Sequence, residues 1–198
     1  MKTLTKTLLS AILAVVVLTS SSMTAVTAGT VKVETVSNSF NKIWVGGNVK
    51  IILTQSEKEG VFVDEDFNAD KTSIKGRGQT LYVNSMADGQ VTIRVSVKDL
   101  QRIEAAGSAV VVTSNNFDVA YLQVFLSQSA KARVSAMTGS LYTVISDDAT
   151  LKMSGSANEH TLMASNMKNV KFADFVSLKT KTQHKNSVTT NQLAGITK

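Results

Sequence analysis

The sequence contains no cysteine, no proline and only two histidines, His160 and His184. The lack of cysteine excludes disulfide bonds and lipid attachment through a cysteine, so stability must come from packing and backbone hydrogen bonds. Each proline would remove a donor from a sheet ladder, so its absence is typical of a chain that is nearly all strand. Valine and threonine are abundant, whereas helix signals are scarce. These absences predict an all-β protein that folds without covalent cross-links.

Residues 1–28 have the pattern of a secretory signal peptide. Lys2 and Lys6 precede an apolar run, and small residues end at Ala28, where we expect cleavage. The run covers residues 8–18, which is too short for a helix that crosses a bilayer of roughly 30 Å. We therefore expect export to the periplasm, the cell surface or the medium, with no transmembrane segment in the mature chain. Residues 29–198 contain no linker and are predicted to form one domain.

The stretch from residue 100 to 172 repeats itself. Ala109, Ala130 and Ala149 occupy equivalent positions in three successive copies of the pattern, which gives a period of about 20 residues. Apolar columns recur at period two on either side of these alanines, and the residues between them are mostly polar, as in strands with one buried face. Lys131 is predicted to point outward. In the middle repeat the residues predicted to point inward are Val124, Leu126, Ala130, Ala132 and Val134.

A fixed period of this length indicates a solenoid, in which each coil buries its apolar face by stacking on its neighbours. The polar links Gly107-Ser108, Gln128-Ser129 and Asp147-Asp148 are residue types that accept turns, so they predict corners. The spacing of a leucine-rich repeat is missing, and no coil has helical periodicity. The sequence therefore predicts an all-β, single-domain parallel β-helix with coils of about 20 residues.

Residues 29–99 are strand-like but less regular. A strand begins near Ile43, turns a corner at residues 46–48 and continues to Leu53. Shorter strands are predicted at residues 61–63 and 81–83, a polar loop region over 64–78, and a one-sided strand over 91–97.

Four segments resemble the head GIN domain family of auto-transporter adhesin-like proteins. They are FNKIWVGGNVKIILTQSEKEGVFVDED (40–66), TLYV (80–83), VTIRVSVKDLQRIEAAGSAVV (91–111) and SGSA (154–157). The resemblance covers nearly the whole mature chain and implies a right-handed parallel β-helix in a bacterial cell-envelope protein. The family's Gly-Ser-Gly-Asp or Gly-Ser-Ala-Asp corner signature is kept as Gly107-Ser108-Ala109 and Gly155-Ser156-Ala157. The resemblance supplies no catalytic residue.

Some parallel β-helices cleave polysaccharides, and such cleavage uses paired carboxylates. Asp147 and Asp148 are adjacent, but they replace Gly-Ser at a corner and are predicted to be turn formers. The acidic run at 64–66 lacks the spacing of a calcium loop. His160 and His184 have no ligand-spaced neighbours and are predicted to lie on the surface. We expect a non-catalytic binding or structural protein with no cofactor, metal or nucleic-acid partner, and a polysaccharide hydrolase or lyase is the alternative.

Two groups of residues are candidates for contact with a partner. The aromatic candidates for stacking on glycans are Trp44, Tyr82, Tyr121, Phe125 and Tyr142. Trp44, Phe125 and Tyr142 fall opposite the inward columns, which predicts an outward contact surface, and the alternative is that a helix, loop or tail of the same chain covers it. Residues 160–198 carry six basic side chains and one acidic side chain. The lysines proposed to contact an anionic polysaccharide or lipopolysaccharide are Lys179, Lys181 and Lys185, which share a parity, and Lys171, placed one coil below.

Protection of an exposed strand edge explains the same lysines without a ligand. An unprotected coil end would instead allow a homo-oligomer, or a self-associating envelope scaffold, to form through unpaired strands.

Overall fold

The computed structural model describes residues 30–33, 39–64 and 67–184. The predicted signal peptide at 1–28, the acidic pair at 65–66 and Lys185 lie outside these residues. Within them the chain is all-β apart from a single 3-10 turn at Met167–Asn169, and the strands form one sheet. The strands are β1 (Thr30–Lys32), β2 (Lys42–Gly47), β3 (Val49–Gln55), β4 (Gly60–Asp64), β5 (Thr72–Arg77), β6 (Thr80–Ser85), β7 (Val91–Val97), β8 (Arg102–Ala105), β9 (Val110–Thr113), β10 (Phe117–Leu126), β11 (Lys131–Ile145), β12 (Thr150–Ala164) and β13 (Val170–His184).

Parallel pairing in the second half of the chain follows the repeat. Ala132 of β11 lies opposite Val111 of β9 and Leu151 of β12. Val111, Ala132 and Leu151 have the same spacing along the sequence as the three aligned alanines. The strands therefore stack in the register that the alanine columns predict. All five residues predicted to point inward in the middle repeat are buried, and Lys131 is exposed, so this register is confirmed.

The first half of the chain departs from the prediction because its pairing is mixed. β1 pairs with β4, β4 with β7 and β5 with β6 in antiparallel fashion, whereas the other pairings are parallel. An all-parallel fold over the whole mature chain is therefore not confirmed. β5 also corrects the loop predicted for 64–78. Among the residues that the structure describes, β5 pairs only with β6 and buries little. A strand at this position therefore forms with Ile74 as its one large apolar residue.

The order of strands in space differs from their order along the chain. β2 pairs with both β6 and β8, and β3 pairs with both β7 and β9. The β2–β3 unit therefore lies between β6–β7 on one side and β8–β9 on the other. This arrangement brings Trp44 of β2 beside Tyr82 of β6, although three other strands separate them along the chain.

The predicted corners are turns, and they stack on one another. Gly107, Gln128 and Asp147 have backbone φ angles of 72°, 58° and 57°. The backbone N–H of Gly107 donates to Oε1 of Gln128 at 2.6 Å, and the N–H of Gln128 donates to Oδ2 of Asp147 at 2.9 Å. The side chains of Gln128 and Asp147 thus each satisfy a backbone donor at the corner of the coil before them.

Candidate functional site

Four aromatic side chains lie on one outward surface of the sheet, here called the aromatic face: Tyr82, Trp44, Phe125 and Tyr142. Each of the last three is partly exposed and lies between two buried neighbours along its strand, which confirms their predicted outward direction. Trp44 lies opposite Tyr82 and Glu104, and Glu104 lies opposite Phe125. The strands β6, β2, β8, β10 and β11 therefore carry one continuous surface.

The first aromatic pair occupies β2 and β6. The ring centroids of Trp44 and Tyr82 are 6.2 Å apart with an interplanar angle of 40°, and Tyr82 is 40% exposed. The indole packs across the backbone of Gly46, where an added Cβ would lie 2.7 Å from Cη2 of Trp44. A side chain at this position would displace the indole, so Gly46 is a positioning residue for the pair.

The second aromatic pair occupies β10 and β11. The rings of Phe125 and Tyr142 are 5.9 Å apart at 53°, and the guanidinium carbon of Arg102 lies 4.6 Å above the Phe125 ring. Nε of Arg102 donates to Oε1 of Gln123 at 2.9 Å, and the Tyr142 hydroxyl donates to Sδ of Met163 at 3.0 Å. These contacts hold the rings in place before any ligand arrives, which lowers the entropic cost of binding.

The arrangement of the aromatic face suits a ligand with apolar C–H groups on one side and hydroxyl groups on its rim. The π faces accept the C–H groups, and Arg102, Glu104 and Gln123 can exchange hydrogen bonds at the edges. Two pairs of rings separated by β8 give contacts at two points along the direction in which the strands stack. The face can therefore bind an extended molecule.

A second outward surface carries six cations, and sequence reasoning missed it as a unit. This surface, here called the basic groove, has a volume of about 780 Å³. Ile52, Val110 and Val112 form its apolar part. Its cations are Lys50, Lys131, Arg133, Lys152, Lys168 and Lys171. Polar residues at one parity of the repeat indicated a wetted face, and the alanine columns align Arg133 with Lys152. Lys50 and Lys171 join this surface only through pairings outside those columns.

The C-terminal lysines do not form one surface. Lys171 lies in β13 together with Lys179 and Lys181, so its predicted place one coil below is wrong. It borders the basic groove, whereas Lys181 continues the row that contains Tyr142. Nζ of Lys179 lies 3.3 Å from Oε1 of Glu159. The pairing of β12 with β13 has a register irregularity between Lys171 and Lys179.

His160 is buried at 1% exposure, so its predicted surface location is wrong. Its Nε2 lies 3.0 Å from Oγ1 of Thr143, and its ring makes edge contacts with Phe172 and Phe175 at 5.5 and 5.4 Å. Burial lowers the pKa of the imidazole. The alternation in β12 breaks at residues 158–159, which are both exposed, and this shift places His160 in an inward column. The side chain of His184 lies outside the described set.

Two of the acidic candidates have structural partners. Asp147 accepts the backbone hydrogen bond of Gln128, as expected of a turn former, and Asp64 pairs with Arg94 at 2.6 Å. Among residues 30–33, 39–64 and 67–184 no group of three His, Cys, Asp or Glu side chains is placed to hold a metal ion.

The helical content of the described part includes nothing long and apolar enough to span a bilayer.

Among solved structures, a putative adhesin from Parabacteroides distasonis ATCC 8503 has a TM-score of 0.57 at 14% identity, over 79% of this chain and 77% of that chain. A putative lipid binding protein from the same organism has a TM-score of 0.54 at 15% identity, over 79% and 78%. At these identities the likeness shows the fold alone. A comparison with curated proteins found no match.

The family comparison is more specific than the structural one. The family model described as "Putative auto-transporter adhesin, head GIN domain" matches residues 39–192, which include both outward surfaces. Because the match covers well over half of the sequence, this chain belongs to the head GIN domain family of putative auto-transporter adhesins.

Proposed function

We propose that this protein is an exported, non-catalytic binding protein of the bacterial cell envelope that contacts glycans through the aromatic face. The observation that carries the proposal is the placement of two aromatic pairs, Trp44 with Tyr82 and Phe125 with Tyr142, on one outward surface. Aromatic side chains are usually buried when no partner exists, since exposing them forfeits favourable burial. Their recurrence on one face is typical of a contact surface.

Export is supported by the signal-peptide pattern at residues 1–28. An adhesin-like role is supported by membership in the family and by the name given to the Parabacteroides distasonis relative. The hydrolase or lyase alternative has little support, because Asp147 is engaged at a corner and His160 is buried against aromatic rings. A binding role requires neither group to reach a substrate.

Affinity electrophoresis in gels that contain neutral polysaccharides tests this proposal. The wild-type protein should be retarded by at least one glycan, and the double variant Trp44→Ala/Phe125→Ala should lose that retardation. Met86→Ala is the control, because Met86 is 82% exposed and lies outside the five strands that carry the aromatic face. Gly46→Ala should weaken the retardation while keeping every ring. Equal retardation of the double variant and the wild type would refute the proposal.

Three further expectations remain proposals. The parallel coils from β8 onward wind in the right-handed sense implied by the family. Two copies associate through β13, whose exposed side chains include Phe172, Val176 and Leu178 and whose pairing among the described residues is with β12 alone. Lys179 and Lys181 contact an anionic polymer, such as an acidic polysaccharide or lipopolysaccharide. Sedimentation velocity at several concentrations tests the association, and Leu178→Glu should abolish it.

A further inference from the structure

We propose that the basic groove is a second binding site, which holds a linear acidic polysaccharide along the direction in which the coils stack. Its acidic groups contact the column formed by Arg133, Lys152 and Lys171. This site is separate from the aromatic face and does not depend on glycan binding there.

The column is the first observation. Arg133 lies directly opposite Lys152, and Lys152 lies directly opposite Lys171. Neighbouring strands are about 4.8 Å apart, so three cations recur at that spacing on one surface. Like charges placed opposite each other across strands destabilise a sheet. Among the described residues no carboxylate forms an ion pair with any of the six groove cations. The fold therefore carries an uncompensated charge column that an anionic ligand would neutralise.

Protection of a strand edge does not explain the column. Edge lysines prevent an unpaired strand from pairing with another chain. Lys171 lies in β13 and fits that role, but Arg133 is in β11 and Lys152 is in β12. Both of these strands are paired on both sides. Two of the three cations thus lie in the interior of the sheet, where no edge requires protection.

The shape of the groove favours a chain over a compact ion. Most of its lining residues come from β3, β9, β11, β12 and β13, which are successive neighbours in the sheet. Four strand spacings give a length of about 19 Å. Val112 lies opposite Arg133 and Ile52 lies opposite Val112, so the cationic column continues into an apolar step on β9 and β3. A sugar chain offers both kinds of contact, because its rings have apolar C–H faces and its uronate groups carry charge at regular intervals.

An anionic lipid surface is the competing partner, and it is an outcome of the test. A membrane presents charge over a plane, so it would engage cations on any protruding surface. The three cations of the column are exposed along a single line that crosses the strands, rather than spread over a plane. The regular spacing of the cations and the apolar step therefore favour the polysaccharide.

Isothermal titration calorimetry with polygalacturonate, a linear uronate polymer, tests the proposal at low and at moderate salt. The wild-type protein should bind, and affinity should fall as salt rises because ionic contacts are screened. The variant Arg133→Gln/Lys152→Gln/Lys171→Gln should bind roughly tenfold more weakly, as expected for the loss of three partly exposed ion pairs. Its thermal unfolding midpoint should equal or exceed that of the wild type, because the repulsive column is gone.

The control variant Lys58→Gln/Lys71→Gln/Lys98→Gln removes the same formal charge outside the groove, where Lys71 and Lys98 already pair with carboxylates. It should keep affinity within about twofold of the wild type, since exposed paired charges contribute little. Equal losses in the two triple variants would show a general effect of net charge and overturn the proposal. Absence of binding at low salt, or binding to phosphatidylglycerol vesicles but not to polygalacturonate, would also overturn it. If Trp44→Ala/Phe125→Ala lost binding while the groove variant kept it, the polymer would be assigned to the aromatic face instead.

Discussion

Replacing Leu126 by alanine should destabilise the protein by roughly 2–5 kcal/mol. Leu126 is 1% exposed and points into the coil between Ala105 of β8 and Ile145 of β11. The substitution removes three carbon groups, which at roughly 0.8 kcal/mol each gives about 2.4 kcal/mol for the lost transfer free energy. The remainder comes from the cavity, because a stacked sheet held by ladders on both sides relaxes only partly.

The free energy of unfolding is measured by urea denaturation, with Trp44, the only tryptophan, as the fluorescent probe. Lys131→Ala is the matched control, since Lys131 is exposed in the same coil, and it should lie within about 0.5 kcal/mol of the wild type. A larger loss for Lys131→Ala than for Leu126→Ala would show that the register of this coil is displaced by one residue.

Further predictions concern backbone strain and pH. Gly47 has a φ of 74°, and an added Cβ would collide with the backbone oxygen of Ser85, so Gly47→Ala should cost roughly 2 kcal/mol or more. Gly78 also has a positive φ, but an added Cβ there would meet nothing within 4 Å. If Gly78→Ala lost as much free energy of unfolding as Gly47→Ala in urea melts, the collision at Gly47 would be contradicted. Burial holds the pKa of His160 below its ordinary value, so the unfolded state binds more protons once the pH falls below about 6.5. Stability should therefore decline as the pH falls through this range, and His160→Leu should flatten that decline. Parallel slopes for the two proteins would show that His160 is not buried in its neutral form.

The regular half of the fold follows from local pattern. In a strand, side chains alternate between the two faces, so the columns that contain Ala130 and Ala132 identify the buried face, and their spacing along the chain identifies the coil. The same alternation places Trp44, Phe125 and Tyr142 outward. His160 shows the limit of this reasoning, because one break in alternation at 158–159 reverses the direction of every later side chain until the next break.

The less regular half depends on pairing between distant strands, which local pattern does not determine. Nothing in the residues of β2 indicates that β6 lies on one side and β8 on the other, and the antiparallel edge strand β5 has almost no apolar signal. The basic groove was missed in part for the same reason, because the pairings that add β3 and β13 to it lie outside the alanine columns. Lys50 and Arg133 lie in opposite halves of the chain, and only the stacking order through β9 brings them to one surface.

The central claim, that this protein binds glycans without cleaving them, is tested most directly by applying the purified wild-type protein to a glycan array at low and moderate salt. We predict retention on a subset of extended glycans, with acidic members lost as salt rises, and recovery of every bound glycan at its original length by mass spectrometry. Absence of retention on any glycan would contradict the binding claim, and recovery of shortened chains would contradict its non-catalytic character.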